Sequence, residues 1–523
     1  MPKIKLDSSN ALKAKDKTLV LNVFEEAFSG TSKTKFQGQL KELDVLLEGA
    51  LSIAAQDENF KGKLASTLTV PTFGKIGAKK VILLGLGKQK ELNKIDQIRK
   101  AYSGLIRKIE GLKSETTIVE FPPISKDLPA SELARSIGEV FLLANYKFDK
   151  YQTKKEKADE PQFKGIEQIT INLPKLNAKE LESIKESIKR AEIIADGVLL
   201  ARDLIAEPPN VVTPAHLAKV AEKIGKEGAK SGVTVKILDR AACEKLKMGA
   251  FLAVARGSKN EPKFIHFHYK PKGKAKKHVA FVGKGITFDS GGLSLKPSKA
   301  MEKMKYDMAG GGATIGLMST IAKLKPNVEI TIIVAACENM PGGNAYRPGD
   351  VITAMNGKTM EINNTDAEGR VTLADAVYYA SKQKPDHIID IATLTGAIVV
   401  VLGEAAAGLM SNDEKLTEQI KKAFEASGER AWELPLYEDY EDAVTKGTIA
   451  DMINAGSGGQ AGAQNGALFI KQFVGDTPWV HLDIAGTCWP ERRDTYFTPK
   501  NNPAGFGILT FVRHIELLDA AKK

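Results

Sequence analysis

Cysteine is scarce in this chain: three residues in 523 (Cys243, Cys337, Cys488), with no C-x-x-C pair among them. That excludes a disulfide framework and points to a reducing, cytosolic compartment. Long apolar runs are also missing. The longest, Ile391 to Gly403, is bounded by Asp390 and Glu404 and falls short of the roughly 20 residues a bilayer crossing needs. The start, Met1-Pro2-Lys3-Ile4-Lys5-Leu6-Asp7, lacks the apolar stretch of a secretory signal, so no membrane partner is expected. Seven histidines are present, but none form a pair at helical spacing, which disfavours a His-based zinc site. His266 and His268 alternate on one predicted strand and read as surface or packing residues. Neither Gly-x-x-x-x-Gly-Lys-Ser/Thr nor Gly-x-Ser-x-Gly occurs, which removes a phosphate loop and a serine nucleophile elbow.

What is present is an ordinary globular composition: 43% hydrophobic, 27% charged and 7% aromatic residues. Length alone suggests three to four domains, or two large ones, at about 150 residues each. Such a chain buries large cores without staples, so a bound metal would serve chemistry rather than folding. The net charge of +11 permits a nucleic-acid partner, but the lysines are dispersed and no zinc-finger or RNP-type motif accompanies them. A solvated surface is the plainer reading.

Strand and helix patterns alternate throughout, giving an α/β class. A mixed sheet is implied by the hairpin Val351–Met355, Asn356-Gly357, Lys358–Ile362, for which Asn-Gly predicts a type I′ turn. Lys79 to Gly87 reads as a strand closed by a glycine turn. Its Gly-x-Gly lacks the third glycine and the acidic partner of a dinucleotide site. Tyr151 to Lys164 reads as a charged surface loop. A long helix over 177–206 opens on the capping-box spacing Asn177…Glu180. It carries Leu181, Ile184, Ile188, Ala191, Ile194 and Val198 on one face and must stop before Pro208-Pro209. The reading is an N-terminal α/β domain over 1–175, with an oligomerisation or regulatory role. A larger α/β domain over 176–523, its mixed sheet flanked by helices, is entered by that helix.

Chemistry-bearing residues crowd into loops after the predicted strands. Lys284 and Asp289 lie in Gly283-Lys284-Gly285-Ile286-Thr287-Phe288-Asp289-Ser290-Gly291-Gly292, with Lys296 just beyond. Asp366, Glu368 and Arg370 recur at period two, which on an extended segment would place them on one side. Two carboxylates so placed resist joint ionisation unless a cation lies between them. Either Arg370 or a divalent metal could be that cation. Asp307 precedes a glycine run and could be no more than a helix cap.

Together these segments resemble the leucyl aminopeptidase (cytosol aminopeptidase) family. The resemblance rests on Val282 to Gly292 and Asn364-Thr365-Asp366-Ala367-Glu368-Gly369-Arg370. It extends to Cys337-Glu338-Asn339-Met340-Pro341, Arg347-Pro348-Gly349-Asp350, Thr393-Leu394-Thr395-Gly396-Ala397 and His481-Leu482-Asp483-Ile484-Ala485-Gly486-Thr487. The motifs stand in family order and span roughly residues 210–486, while the first 175 residues match no motif closely. The resemblance implies a dinuclear metallo-aminopeptidase that removes N-terminal leucine or other apolar residues from peptides, through a hydroxide bridging two divalent cations. One metal would be held by Lys284, Asp289, Asp307 and Glu368, the other by Asp289, Asp366 and Glu368. Lys296 and Arg370 would be the non-ligand catalytic pair, with bicarbonate at Arg370. Met304, Asn364, Thr393, Leu394 and Ala485 would contact substrate. The metals would be Mn2+ or Zn2+, with Mg2+ and Co2+ as alternatives, and the assembly a homohexamer. A nucleic-acid-binding regulator built on the same fold is the second reading, and a catalytically dead structural homologue a third, against which the intact ligand set speaks.

Overall fold

The computed structural model describes residues 1–13, 15–28, 35–153, 163–456 and 459–521. Most of the charged loop expected at 151–164 lies outside these. Chain contacts define two compact units, residues 1–195 with 494–499, and residues 196–493 with 500–523.

The first unit is built on a six-stranded sheet in the spatial order Lys3–Asp7, Gln168–Asn172, Thr116–Glu120, Thr18–Val23, Lys80–Gly85, Thr67–Pro71. All neighbours run parallel except the last pair. Val81, Leu83, Leu19 and Leu21 are buried in its core, as the apolar run beginning at Val81 predicts. Gly85 ends its strand where a β-carbon would stand 2.2 Å from the Lys63 carbonyl oxygen. That glycine is therefore a packing residue.

The helix Ala178–Ala206 opens on the reciprocal capping box. Glu180 N–H donates to Asn177 Oδ1 at 2.9 Å, and Asn177 N–H donates to a Glu180 carboxylate oxygen at 3.1 Å. It ends two residues short of Pro208, as the missing amide of that proline requires. The division between the two units falls inside this helix.

In the second unit an eight-stranded mixed sheet runs Ala431–Glu433, Ala407–Ser411, Trp479–Asp483, His387–Ala392, His278–Asp289, Glu329–Asn339, Lys263–Tyr269, Val233–Leu238. Its four central strands, from Trp479–Asp483 to Glu329–Asn339, are parallel. Both faces of His278–Asp289 are buried: Ala280 and Val282 enter one core, while the Phe281 ring packs tilted against Phe511 with centroids 4.8 Å apart. Burial on both sides explains why these strands read as continuous apolar runs. The strand continues past the apolar run to Asp289. Gly283 to Ile286 stay in register with Val334 to Cys337 despite their polar spelling.

The hairpin differs from expectation. Its strands are only Val351–Thr353 and Thr359–Glu361, and Ala354 N–H donates to the Lys358 carbonyl. A three-residue loop, Met355-Asn356-Gly357, results, in which Gly357 alone has positive φ, at 90°. Type I′ needs two such residues, so the turn belongs to the three-residue class that ends on a left-handed glycine. Among the described residues no helix is long and apolar enough to cross a membrane, and all three cysteines are free and buried.

Candidate metal centre

Lys284 and Asp289 are five residues apart on one strand, and strict alternation would send them to opposite faces. The pairing with Glu329–Asn339 slips between Cys337 and Asn339, so that Ile286 faces Cys337 but Asp289 faces Asn339. One extra residue on the His278–Asp289 side re-aims Asp289 toward Lys284, which is what a β-bulge beside a functional site does. Asn339 then fixes the carboxylate: its Nδ2 donates to Asp289 Oδ1 at 2.8 Å and to the Thr365 carbonyl at 2.9 Å. Gly291, at φ 87°, turns its N–H back onto Asp289 Oδ1 at 2.9 Å.

Glu368 is the first residue of the helix Glu368–Ser381, and Asp366 stands just before it in a turn closed by Asp366 N–H to Asn364 Oδ1 at 2.9 Å. The period-two reading of this segment is therefore corrected. Glu368 and Arg370 are helical and diverge by about 200°. Asp366 and Glu368 come together because the turn folds one back beside the other. One carboxylate oxygen from each of Asp289, Asp366 and Glu368 lies within 4.8 Å of the other two. Arg370 points elsewhere: Nη1 donates to the Asn454 carbonyl at 3.1 Å, and the buried Nε has no partner.

Lys284 Nζ is buried 2.8 Å from Glu368 Oε1 and 2.9 Å from Asp307 Oδ2, and it donates to the Thr393 carbonyl at 2.9 Å. Asp307 sits between the 3-10 helix Met301–Tyr306 and the helix Ala309–Leu324. Its Oδ1 accepts from Thr393 Oγ1 at 2.7 Å. Lys296 Nζ lies 2.9 Å from Asp289 Oδ2 and also contacts Asp366 Oδ1. Its side chain keeps 21% exposure against 3% for Lys284.

The electrostatics follow from this crowding. Burial, then the neighbouring Asp289 charge, pushes the Glu368 and Asp366 carboxyls up. Asp307 is raised by burial against the pull of Lys284. Burial alone would lower the Lys284 amine, but the summed attraction of Asp307, Glu368 and Asp289 wins and holds it above lysine's ordinary value. Lys296 is raised in the same way, against burial, by Asp289, Glu368 and Asp366. Arg370 is pushed down to about 10 by burial, still protonated at neutral pH.

Four carboxylates thus meet around two lysine amines, with Asp289, Asp307, Glu368 and Lys284 buried and Asp366 and Lys296 partly exposed. Glu368 Oε2 is buried without any hydrogen-bond partner. An unpartnered buried carboxylate oxygen is costly unless a cation takes it, and mixed oxygen and amine donors suit borderline divalent ions. The residues fit a metal centre.

Of the residues expected to contact substrate, Thr393 is tied to Asp307. Leu394 and Ala485 are half-buried, and both donate backbone N–H groups to Asp483 Oδ1, at 3.1 and 3.2 Å. Asn364 caps the Asp366 turn, and Met304 lies half-buried in the 3-10 helix. Three supporting residues were not singled out from the sequence. Asp483 also accepts from Thr395 Oγ1 at 2.7 Å and so joins two loops. Asn339 carries the bonds described above. Asn454 is buried; its Nδ2 donates to the Asn364 carbonyl at 2.7 Å, and its own carbonyl receives Arg370. Asn339 and Asp483 stand inside the motifs that carry the family resemblance, whereas Asn454 lies some 90 residues from its partners and carries no local signal.

Similarity to known proteins identifies the family. Residues 199–512 match the description "Cytosol aminopeptidase family, catalytic domain", and residues 20–155 match the N-terminal domain of the same family. A probable cytosol aminopeptidase of Aquifex aeolicus is 43% identical over 484 residues, covering 92% of this chain and 94% of that protein. One from Nostoc punctiforme is 44% identical over 499 residues, covering 95% and 96%. A solved mutant of tomato leucine aminopeptidase superposes with a TM-score of 0.86 at 36% identity, covering 98% of this chain and 96% of that one. A buried carboxylate and amine cluster suited to cations, on a chain matched along nearly its whole length, leads to one conclusion: the chain belongs to the cytosol aminopeptidase family and is a metal-dependent aminopeptidase.

Proposed function

We propose that this aminopeptidase releases N-terminal leucine and other apolar residues from peptides in the cytosol, as a homohexamer. Two divalent cations, Mn2+ or Zn2+ with Mg2+ and Co2+ as alternatives, would be held by Lys284, Asp289, Asp307, Asp366 and Glu368. The observation that carries this reading is the convergence of Asp289, Asp366 and Glu368 on one point, with Lys284 between Asp307 and Glu368. When bound, such cations would supply Lewis acidity, polarising a scissile carbonyl and lowering the pKa of a water.

The chain's own residues supply the rest. Asp307 and Lys284 are both anchored to Thr393, through its hydroxyl and its carbonyl, so the buried side of the centre is rigid before substrate arrives. Asn339 and Gly291 hold Asp289 from behind in the same way. Lys296 stays protonated and partly exposed, which suits it to face the substrate and stabilise the oxyanion as charge develops on the carbonyl oxygen. Arg370, protonated and with its Nε lacking a partner, suits a small anion such as bicarbonate, which would serve as a proton relay. Leu394 and Ala485, clamped by Asp483, would line the substrate.

The test is hydrolysis of leucine p-nitroanilide by the purified protein, before chelation, after chelation and after Mn2+ or Zn2+ is restored. Activity should vanish with chelator and return with metal. Turnover that survives complete metal removal would overturn the assignment of these residues as metal ligands.

A further inference from the structure

A second group of metal-ligating side chains lies at the other end of the strand that carries Lys284. His278 is the first residue of that strand. At about 3.3 Å per residue it stands roughly 20 Å from Lys284. Glu329 is its register partner on the neighbouring parallel strand, and Thr331, two residues on, faces His268 on the antiparallel strand beyond. Side chains two apart share a face, so His278, Glu329, Thr331 and His268 all project from the same side of the sheet.

One ring nitrogen from each histidine and one Glu329 oxygen lie within 4.8 Å of one another. His268 Nε2 is 3.2 Å from Glu329 Oε1. His278 Nε2 is 2.9 Å and His268 Nδ1 3.4 Å from Thr331 Oγ1. The two imidazole rings meet edge to face, with centroids 6.1 Å apart. We propose that His268, His278 and Glu329 form a second metal site, separate from the catalytic centre, that takes a single Zn2+ and ties three adjacent strands together.

The geometry favours this over a plain hydrogen-bond cluster. Zinc bonds of about 2.0–2.2 Å in a tetrahedron put neighbouring ligand atoms roughly 3.3 Å apart. The His268–Glu329 edge already has that spacing, and side-chain rotation closes the others. Two imidazoles with one carboxylate select a borderline ion over Mg2+ or Ca2+, which prefer oxygen alone. A hydroxyl that can orient a ligating histidine is also in place. The Thr331 hydroxyl lies beside both rings, 2.9 Å from His278 Nε2 and 3.4 Å from His268 Nδ1. With side-chain exposures of 33% for His268 and 27% for Glu329, an ion can enter and a water can complete the shell. Each ligand comes from a different strand, so the ion's main effect would be on stability.

The experiment compares wild type with His268→Ala, His278→Ala and Glu329→Gln. Each protein is equilibrated with micromolar Zn2+, dialysed, and assayed for zinc per chain, thermal midpoint and aminopeptidase turnover. Each variant should hold one equivalent fewer than wild type, keep its turnover, and lose the rise in midpoint that zinc gives the wild type. Equal zinc content in wild type and all three variants overturns the proposal. Because the readout is a difference between proteins with intact catalytic centres, it does not depend on which residues hold the catalytic metals. Should the alanine variants fail to fold, anomalous scattering at the zinc edge from wild-type crystals grown with Zn2+ decides. A peak among the three side chains supports the site, and its absence overturns it.

Discussion

Lys284 reaches the carboxylate cluster through space that the glycine at 369 leaves open. A β-carbon on Gly369 would stand 2.6 Å from Lys284 Nζ and 2.7 Å from its Cε. Gly369 is in the first turn of the helix Glu368–Ser381, where its φ is ordinary for a helix and alanine is otherwise preferred. The helix has no use for this glycine; the lysine does. Gly369→Ala should therefore displace the amine while leaving the helix formed. We expect a drop in kcat/KM of at least about 100-fold, on the scale of losing one preorganised polar contact to the reaction, with unchanged far-UV circular dichroism. Near wild-type turnover in this variant would show that the lysine's position does not matter.

Asp366 is the most accessible of the clustered carboxylates, with 33% side-chain exposure against 3% for Asp289 and 2% for Glu368. Asp366→Asn keeps the shape of the turn but removes a charge that faces Asp289 and Lys296. The variant should stay folded, bind one equivalent of catalytic metal less, and lose turnover by about 100-fold or more. Metal analysis beside a leucine p-nitroanilide assay checks both. Retention of full activity would remove Asp366 from the site.

Cation loading should release protons. Without cations Lys284 is held protonated by Asp307, Glu368 and Asp289, and the carboxyls of Glu368 and Asp307 are themselves raised. An amine ligates only when neutral, and a nearby divalent ion reverses the local charge logic. At neutral pH, adding Zn2+ or Mn2+ to chelated protein should release at least one proton per chain, and apparent metal affinity should weaken as pH falls. Calorimetric titration in buffers of different ionisation enthalpy measures the proton count. A count of zero would mean that Lys284 keeps its proton and is not a ligand.

Much of this cluster could be read from the sequence because its side chains sit at or near the ends of strongly patterned elements, Lys284 and Asp289 on one strand and Glu368 at the start of a helix. The capping box at Asn177 and Glu180 and the proline stop after Ala206 are local signals, and the helix formed where they predicted. The failures share a physical origin. Asp366, Glu368 and Arg370 looked like an extended triplet, but the helix begins at Glu368, and a boundary placed by tertiary packing changes the period. Asn356-Gly357 predicted a two-residue turn, yet the Ala354 N–H to Lys358 carbonyl bond closes a loop of three. Asn454 was invisible, because a residue that bonds loops 90 positions away has no local pattern to betray it.

Asp483 offers a case where geometry separates binding from chemistry. Its carboxylate gathers the N–H groups of Leu394 and Ala485 and the Thr395 hydroxyl, and among the described residues no side chain of the carboxylate and lysine cluster hydrogen-bonds to it. Asp483→Ala leaves those donors unsatisfied at a cost of about 1–3 kcal/mol each, which should loosen both loops. We expect KM to rise about tenfold or more, with kcat reduced less, and a lowered thermal midpoint. Unchanged KM would mean that the Leu394 and Ala485 loops do not meet substrate.

Beneath those loops Asp390 and His481 form a fully buried pair, with Nδ1 2.6 Å from Oδ1, while Trp479 Nε1 donates to the other carboxylate oxygen at 2.6 Å. Burial would lower the His481 pKa, but Asp390 overrides it and raises it above the ordinary histidine value. A folded-state pKa above the unfolded one means that the pair's contribution is complete below pH about 6.5 and is lost as pH rises through the folded value. Asp390→Asn preserves the shape and an acceptor for Trp479 while removing the charge. Its destabilisation should therefore be larger at pH 5.5, on the order of 1–3 kcal/mol for a bond to a charged group, and smaller at pH 8.5. Denaturant unfolding at the two pH values decides the sign. A penalty that is equal at both, or larger at the higher pH, would mean that His481 is neutral in the folded protein and that the pair is an ordinary hydrogen bond.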